Sequence, residues 1–437
     1  MKKKEFSKRR LQLMRMMGEH SIAILPAAPV RQRNRDVEYP FRQDSDFYYL
    51  TGFPEPEAVA VLAPGREHGE YILFCRERNP EKELWNGRRV GQEGARERYM
   101  ADDSFPVSDI NDILPGMLEH VDKVFYTMGC NSEFDQRLLG YVNKIRANAR
   151  SGARTPEEFV SLEHLLHDMR LYKSEAEIKA MRHAADIASD AHQRAMRLCQ
   201  PGVTEYQIEA ELMHAFRKAN AHAAYPPIVG GGANSCILHY TENSDELADG
   251  DLLLIDAGAE YEFYASDVTR TFPVNGRYSG EQRAIYELVL DAQAAAIATV
   301  KPGNSWQMPH HEAVKVLAQG LSDLKILKGS LDFVLESESY KQVFMHRTGH
   351  WLGMDVHDVG DYKVGEEWRE LEPGMTLTVE PGLYIQANSE RVDERWWNIG
   401  VRIEDDVLVT KTGCEVLSER TPKRIDDIEA LMREGGV

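Results

Sequence analysis

The chain has 437 residues, of which 42% are hydrophobic, and its 71 acidic and 52 basic side chains give a formal charge of −19. This length is too great for one compact core, and no apolar run approaches the roughly 20 residues that a membrane span needs. The acidic surplus excludes the basic footprint of a protein that binds nucleic acid or an anionic membrane, so neither partner is expected.

The first segment predicts a helix followed by a strand. Apolar Phe6, Leu11, Met14 and Met17 recur at helical spacing in a basic stretch, and the apolar run SIAIL comes later. A secretory signal would instead place its apolar run directly after the short basic stretch. The five cysteines are odd in number and form no CxxC pair. We therefore expect reduced core thiols and a cytoplasmic location.

Residues 1–172 have the pattern of a mixed α/β domain. The strand-like runs are SIAIL, DFYYLTGF, EAVAVLAP, EYILFCRE and KVFYTMG. Helical periodicity marks residues 109–120 and 134–149. The polar stretch RANARSGARTPEEF, which contains Gly and Pro, marks the approach to a boundary, so a second domain is expected over residues 173–437.

The second part of the chain repeats one order of elements. Helix starts are marked by Ser174 with Glu177, by Thr204, by Ser279 with Gln282 and by Ser305. A short strand, ILHY, and an acidic hairpin follow the first helix pair, and strand-like segments over residues 344–409 follow the second. Helices and then strands, twice over, predict a pseudo-symmetric α/β (α+β) domain of about 260 residues.

The stretch LLLIDAGAEYEFYASDVTRTFPV is the predicted centre of the molecule. It has two extended segments, each with one acid, and a hairpin centred between Tyr261 and Glu262 would place Asp256 opposite Asp267. Two carboxylates at this distance repel, and their burial without a partner is costly. A positive group is therefore expected between them.

Three further segments supply candidate ligands for a cation. His350 stands in MHRTGHWLGMDVHD, Glu380 ends an apolar strand before Pro381, and Glu404 lies inside an apolar strand. Taken singly, each acid is better explained by contact with solvent or by an arginine partner than by a metal ion. Together, four acids and one histidine supply a charge of about −4, which matches two divalent cations.

The chemistry of these donors favours particular metals. Oxygen ligands with a single imidazole suit Mn²⁺ first, with Co²⁺ or Zn²⁺ able to substitute. Two such ions roughly 3.5–4 Å apart, bridged by carboxylates and a hydroxide, would form a hydrolytic centre.

The motifs of the second part resemble those of a known enzyme family. DAGAEYEFYASDVTRTFPV, HWLGMDVHDVG, TVEPGLY and GVRIEDD resemble the ordered motifs of the creatinase/aminopeptidase P-type metallopeptidases. YPFRQDSDFYYLTGFPEPEAV and LWNGRRVGQ resemble the amino-terminal domain of that family. The resemblance covers essentially the whole chain. It implies a pita-bread catalytic domain after a smaller domain that serves oligomerisation and caps the cleft.

The resemblance also implies an activity and a ligand set. The expected hydrolase is a metallo-aminopeptidase that uses a metal-bridging hydroxide to remove the residue preceding proline from a peptide. Asp267 and Glu404 would bridge the two ions. The five implied metal ligands are Asp256, Asp267, His350, Glu380 and Glu404.

Other residues take implied roles in catalysis or substrate binding. Glu380 would carry a proton to the leaving nitrogen, and His357 would stabilise the oxyanion. His239 and His346 would hold the peptide beyond the scissile bond. Arg402, two residues before Glu404 on one strand face, could hold Tyr384 or Asp256, and charge balance alone is an alternative explanation.

Trp85, in LWNGRR, would reach the cleft of a neighbouring subunit, which implies a homotetramer; local packing explains it nearly as well. His310 and His311 match no motif and are expected on an exposed helix. The segment AYPPIVGGGAN departs from the family pattern, because Pro226 and Pro227 stiffen the loop that leads to His239.

Two other functions remain open at this point. A prolidase, restricted to Xaa-Pro dipeptides, would use the same ligands, but the amino-terminal motifs favour the aminopeptidase. A catalytically inactive relative that binds peptides would have lost ligands, whereas all five are present. Metal-free creatine hydrolysis is disfavoured for the same reason.

Overall fold

The computed structural model describes residues 1–390 and 392–435 and divides into two compact units, Met1–Met169 and Arg170–Val437. In this described part of the chain, no helix combines the length and the apolar composition needed to cross a bilayer.

The first unit is built on a six-stranded mixed sheet. The strands of the whole unit are β1 (Ser21–Pro26), β2 (Gln32–Asn34), β3 (Val37–Glu38), β4 (Val59–Leu62), β5 (Tyr71–Cys75), β6 (Asp103–Pro106), β7 (Lys123–Phe125) and β8 (Glu158–Val160). Its helices are α1 (Lys3–Met17), α2 (Ser45–Thr51), α3 (Pro80–Asn86), α4 (Gly91–Tyr99), α5 (Ile110–Leu118), α6 (Ser132–Ala147) and α7 (Glu163–Leu171), which runs across the boundary. The sheet order is β6-β5-β4-β1-β7-β8, and β2 and β3 form a separate hairpin. The predicted helix–strand start and four of the five predicted strands are confirmed.

The remaining strand prediction, for DFYYLTGF, was wrong, because these residues form helix α2. The side chain of Asp44 caps this helix by accepting a hydrogen bond from the Phe47 N–H at 2.8 Å. Five of the seven residues of this helix are buried, so burial alone does not distinguish it from a strand. An aromatic-rich run fits a strand by composition, but the Asp44 cap at the start and the left-handed Gly52 at the end define a short helix here.

The second unit contains two successive sets of helices and strands. Its helices are α8 (Glu175–Leu198), α9 (Glu205–Lys218), α10 (Gly280–Ala298), α11 (Met308–Asp323), α12 (Leu331–Glu336) and α13 (Ile425–Glu434). The strands of the first set are β9 (His222–Ala223), β10 (Ile228–Gly231), β11 (Leu252–Asp256), β12 (Ala259–Tyr261), β13 (Tyr264–Ala265) and β14 (Thr269–Pro273). The later strands are β15 (Lys363–Val364), β16 (Glu367–Trp368), β17 (Thr376–Val379), β18 (Gly382–Ile385), β19 (Ile399–Arg402), β20 (Asp405–Val409) and β21 (Cys414–Val416).

This order confirms the predicted mixed α/β architecture. A three-stranded sheet, β10-β11-β14, follows the first helix pair, and the sheets β17-β20-β21 and β18-β19 follow the second. The capping boxes predicted at Ser174 and Ser279 are both present. Helix α11 begins three residues after the predicted Ser305.

The register of the acidic hairpin differs from the prediction. Asp256 pairs with Thr269, and Tyr261 pairs with Tyr264, so the turn is centred between Glu262 and Phe263. Both turn residues have positive φ, 48° and 71°. This is the backbone of a two-residue type I′ turn, which usually requires Asn or Gly. Glu-Phe gives no such signal, and the prediction placed the turn one residue too early.

One other strand prediction was wrong, and a second was wrong in its first part, although residues 363–409 carry strands as predicted. ILHY, residues 237–240, forms a turn after the 3₁₀ helix Gly232–Cys236, and the strand of this region is β10. Ile237 is 48% exposed, so this apolar residue was not an indication of a buried strand. Residues 344–362 contain only an isolated bridge, from Trp351 to Leu377.

The cysteine prediction is only partly confirmed. All five thiols are free, and Cys75, Cys199 and Cys236 are buried. Cys414 is half-buried and Cys130 is exposed, so Cys130 is not a core thiol.

Candidate active site

Asp256 and Asp267 meet at the end of the acidic hairpin. Asp256 is the last residue of β11 and pairs with Thr269 of β14. Asp267 lies two residues before Thr269, so its side chain is on the same face of the ladder as that of Asp256. The Tyr225 hydroxyl lies 2.5 Å from Oδ1 of each acid. Burial and both carboxylates raise the pKa of Tyr225 well above its usual value, so the hydroxyl keeps its proton and donates to one acid at a time.

The second set of strands brings His350, Glu380 and Glu404 to the same place. The Thr378 N–H of β17 donates to the His350 carbonyl at 3.0 Å, and the His350 N–H donates to the Thr378 hydroxyl at 3.1 Å. Glu380 directly follows that strand. Glu404 does not lie inside a strand, as predicted, but in the link between β19 and β20. Its N–H donates to the carbonyl of Thr269 at 3.1 Å, so this link is tied directly to the acidic hairpin.

The distances define one compact cluster. His350 Nε2 lies 3.3 Å from Asp267 Oδ2 and 3.8 Å from Glu380 Oε1. One ligand atom from each of Asp267, His350 and Glu404 lies within 4.8 Å of the others. These residues can therefore share a cation.

The electrostatics of the cluster require positive charge. Burial, followed by repulsion from the neighbouring acids, raises the pKa of Glu404 well above its usual value. Burial also raises the pKa of Asp256, and it raises that of Glu380 to about 7. Divalent cations bound among these oxygens would remove the repulsion, so the donor set fits metal ions.

His350 is oriented for coordination through Nε2. Its Nδ1 lies 2.9 Å from the Trp351 carbonyl, which fixes the ring and leaves Nε2 facing the acids. Burial opposes a charge on His350, but the hydrogen bond and charge of Asp267 raise its pKa to about 9. The site thus favours a positive species at Nε2, and a metal ion would replace the proton in that position.

Arg402 links two parts of the cluster. Its Nη2 donates to Asp256 Oδ2 at 2.6 Å, and its Nη1 donates to the Tyr384 hydroxyl at 3.0 Å. The Tyr384 hydroxyl lies 2.8 Å from His346 Nε2, and His346 Nδ1 lies 2.7 Å from the carbonyl of Arg347. Burial lowers the pKa of His346 to about 4, so the neutral ring accepts from Tyr384. Arg402 contacts both residues that the sequence offered as alternatives.

The remaining predicted histidines surround this cluster to different extents. The ring of His357 lies 4.3 Å from that of His350, centroid to centroid, and His357 is exposed on its other side. His239 is exposed and close enough to lower the pKa of both His346 and His357. His311 is exposed as predicted. His310 is not, because it is half-buried with Nδ1 2.8 Å from Thr348 Oγ1.

A buried ion cluster supports the segment that carries His350 and His357. Asp358 accepts from Lys173 Nζ at 3.0 Å and from Arg170 Nη2 at 2.6 Å. Arg170 Nη2 also donates to Asp355 at 2.7 Å. Lys173, Arg170 and Asp358 are all nearly inaccessible to solvent. This irregular segment is thereby fixed at Asp355 and Asp358, on either side of His357.

A second buried ion cluster lies behind Glu404. Arg270 Nη1 donates to the carbonyls of Thr269 and Glu404, at 2.8 and 2.6 Å, and its Nη2 donates to Asp405 at 2.7 Å. Lys423 Nζ donates to the other oxygen of Asp405 at 2.6 Å. Arg270 thus clamps the backbone on both sides of the junction that positions Glu404.

Sequence reasoning missed Tyr225, Arg270 and Lys173. Tyr225 stands directly before Pro226 in the segment that departs from the family pattern, and only the fold brings it to the acids. Trp85, the remaining predicted site residue, lies on α3 of the first unit with 85% of its surface exposed.

Comparison with protein families agrees with this geometry. The model described as Metallopeptidase family M24 matches residues 179–411, and the model described as Aminopeptidase P, N-terminal domain matches residues 6–126. The chain belongs to metallopeptidase family M24, as its sequence motifs predicted.

Individual relatives within this family show which of its enzymes the chain resembles closely in sequence and structure. The chain is 44% identical over 98% of its length to the Xaa-Pro aminopeptidase of Escherichia coli (strain K12), of which it covers 98%. It is 58% identical to a solved structure of Pseudomonas aeruginosa aminopeptidase PepP, with a TM-score of 0.99 over 100% of this chain and 99% of that one. A Zn-substituted E. coli aminopeptidase P in complex with product is 44% identical, with a TM-score of 0.97, and 100% and 99% of the two chains are covered.

Proposed function

We infer that this protein is an Xaa-Pro aminopeptidase, a metallopeptidase that hydrolyses the bond between an N-terminal residue and a following proline. The observation that carries the inference is the cluster of Asp267, His350 and Glu404, whose ligand atoms lie within 4.8 Å of one another. The cluster occurs in a chain that is 44% identical to an Xaa-Pro aminopeptidase over 98% of both lengths.

Five residues are proposed to hold two divalent cations, with Asp267 and Glu404 shared between them. The ligands would be Asp256, Asp267, His350, Glu380 and Glu404. When bound, such ions lower the pKa of a water molecule and polarise the scissile carbonyl group. The predominance of oxygen ligands supports Mn²⁺ as the metal, with Co²⁺ or Zn²⁺ as substitutes.

Glu380 is the proposed proton carrier. Its Oε1 lies 3.8 Å from His350 Nε2, and its Oε2 lies 4.0 Å from His346 Nδ1, so the carboxylate lies between a proposed ligand and a proposed substrate-binding residue. In the reaction, the hydroxyl of water adds to the carbonyl carbon as Glu380 takes the proton. Glu380 then delivers this proton to the proline nitrogen as the C–N bond breaks.

The surrounding histidines would bind the peptide. His357, partly exposed beside His350, would donate a hydrogen bond to the oxyanion of the tetrahedral intermediate. His239 and His346 would hold the chain beyond the scissile bond, and Tyr384 would fix the His346 ring. Arg402 is proposed as a positioning residue, because it contacts Asp256 and Tyr384 rather than the reacting atoms.

Proline specificity follows from the chemistry of the imide bond. The proline nitrogen carries no N–H, so a peptidase that requires this donor cannot bind the bond, whereas side-chain contacts to carbonyl groups remain possible. His239, His346 and His357 offer such contacts without using the backbone of the substrate as a donor.

Assembly and location are further proposals. A homotetramer, in which Trp85 of one subunit reaches the cleft of another, is supported by the 85% exposure of this large apolar side chain. A cytoplasmic location is consistent with five free thiols.

Hydrolysis of Arg-Pro-Pro and of Ala-Pro, with Mn²⁺ added and after chelation, tests the function. Metal-dependent release of arginine from the tripeptide is the expected result. Cleavage of the dipeptide alone would contradict it and favour a prolidase. Cleavage of neither peptide would favour a non-catalytic peptide-binding protein.

A further inference from the structure

A cavity of about 650 Å³ lies beside His346 in the second unit. One wall is the first part of α11, with His310 and Lys315, and the opposite wall includes Lys341, Phe344 and the segment up to residue 347. A volume of this size is within the range that accommodates small-molecule or peptide groups. The proposed roles of the metal cluster do not use this cavity.

The cavity is locally positive in an otherwise acidic protein. Lys315, Lys341 and Arg347 line it, against Glu312 and Glu338. The carboxylate of Glu338 is paired with Lys341 at 2.5 Å. Since the whole chain has a formal charge of −19, an excess of cations in one concave surface marks a region that attracts anionic groups.

Arg347 is held in place at the edge of this cavity. Its guanidinium carbon lies 5.5 Å from the ring centroid of Trp368, within the range of a cation–π contact. Its backbone carbonyl accepts a hydrogen bond from His346. A positively charged side chain is therefore fixed next to a residue that is proposed to hold the substrate.

His346 joins the cavity to the metal cluster. Its ring Nδ1 lies 4.0 Å from Glu380 Oε2, and the same side chain lines the cavity. The ring of Phe344, which also lines the cavity, lies 5.0 Å from that of His346. A peptide that leaves the reaction centre past His346 would meet this positive surface.

We propose that the cavity binds a carboxylate of the substrate beyond the proline, with Arg347 as its main contact and Lys315 as a second. The carboxylate is that of an acidic side chain or of the peptide C-terminus. This inference rests on the proposed function, because it assigns the cavity to the downstream part of the same substrate.

The test uses peptides that begin Arg-Pro and differ in charge after the proline. In one set, amidated at the C-terminus, Glu, Gln or Lys stands at the first, second or third position after proline. A second set repeats the Gln peptides with a free C-terminus. Release of arginine gives kcat and KM for the wild-type protein, for Arg347→Glu and Lys315→Glu, and for the control Lys411→Glu, which changes an exposed lysine outside the cavity.

At one position after the proline, we expect kcat/KM for the Glu peptide to exceed that for the Gln peptide about three- to tenfold, mainly through a lower KM. The Lys peptide should have a lower kcat/KM than the Gln peptide. Arg347→Glu should reverse the order of Glu and Lys, Lys315→Glu should weaken the preference, and Lys411→Glu should retain it. A preference for the free C-terminus over the amide identifies the terminal carboxylate as the group bound. At 1 M salt the preference should be largely lost, because the screening length is then about 3 Å.

Equal kcat/KM for the Glu, Gln and Lys peptides, together with equal kcat/KM for the free C-terminus and the amide, would overturn the inference and leave the aminopeptidase function intact. A preference for Glu that persists in both Arg347→Glu and Lys315→Glu would overturn the assignment to this cavity. If no peptide is cleaved, the proposed function itself fails, and the inference fails with it.

Discussion

A single hydroxyl group holds two acids of the cluster together. Tyr225 lies within hydrogen-bonding distance of both Asp256 and Asp267, and it donates from a loop that precedes the first strand of the sheet. Outer partners of this kind fix the orientation of ligands and influence the affinity of a metal site as strongly as some ligands do.

Tyr225→Phe should therefore lower metal affinity about 10- to 100-fold, because Asp256 and Asp267 lose a shared donor while the aromatic ring remains. Competition with a chelator measures the affinity, and kcat/KM at saturating Mn²⁺ measures how far added metal restores activity. Tyr206→Phe, at a 54% exposed tyrosine on α9, is the control. An affinity equal to that of the wild type would show that Tyr225 does not position the acids.

Glu380→Ala should abolish turnover of Arg-Pro-Pro while circular dichroism and the melting temperature show a folded protein. The side chain is proposed both to bind metal and to carry the proton, and its loss removes the acid that protonates the leaving nitrogen. Activity of the variant at the wild-type rate would refute the proton-carrier role.

At the scale of elements, the irregular segment 350–360 depends on a buried ion cluster rather than on strand pairing. Asp358 is almost fully buried, and although burial opposes its charge, Lys173 and Arg170 hold its pKa below the usual value. An acid whose pKa is lowered on folding stabilises the protein above its unfolded pKa of about 3.9, and this contribution is lost as the pH falls through the lower folded value.

Asp358→Asn should destabilise the second unit by about 3–5 kcal/mol, because Lys173 keeps a buried charge without its carboxylate partner and Arg170 loses one of its two. Urea denaturation at pH 7 measures the loss. The difference between variant and wild type should shrink as the pH is lowered below about 3.9. Asp361→Asn, at an exposed acid three residues further on, is the control. Equal stability of Asp358→Asn and wild type at pH 7 would contradict the structural role.

How far the sequence predicts the elements depends on where the signal lies. The first residues of α8 and α10 are encoded locally, by Ser174 with Glu177 and by Ser279 with Gln282, and both helix starts were predicted. The register of the acidic hairpin depends on two positive-φ residues, Glu262 and Phe263, whose types give no turn signal. The predicted opposition of Asp256 and Asp267 was therefore wrong, although the two acids are neighbours through Tyr225.

The same distinction applies to the site residues. The four acids among the proposed ligands were found because acids are rare in apolar sequence runs. All five ligands, His350 included, were found because their flanking motifs resemble those of a family. Tyr225, Arg270 and Lys173 were missed because a tyrosine, an arginine or a lysine in a loop or strand is ordinary. Their functional interest comes only from contacts with residues that are distant in sequence, such as Arg270 with Glu404.

At the scale of the molecule, the cluster is formed where the two halves of the second unit meet. The first half contributes Asp256 and Asp267, and the second contributes His350, Glu380 and Glu404. The halves are joined by the Thr269–Glu404 bridge, behind which Arg270 binds both backbone segments. Neither half alone carries the proposed ligand set, so we expect metal binding to require both halves.

Metal content measures the central claim most directly. After loading with Mn²⁺ and dialysis, elemental analysis should find about two ions per chain in the wild type. Asp256→Asn should bind fewer, because it loses a charged ligand, whereas the exposed-site variant Asp361→Asn should match the wild type. Mn²⁺ should also raise the melting temperature of the wild type more than that of Asp256→Asn, since a ligand stabilises the folded state that binds it. Unchanged metal content in Asp256→Asn, or no bound metal in the wild type, would contradict the account.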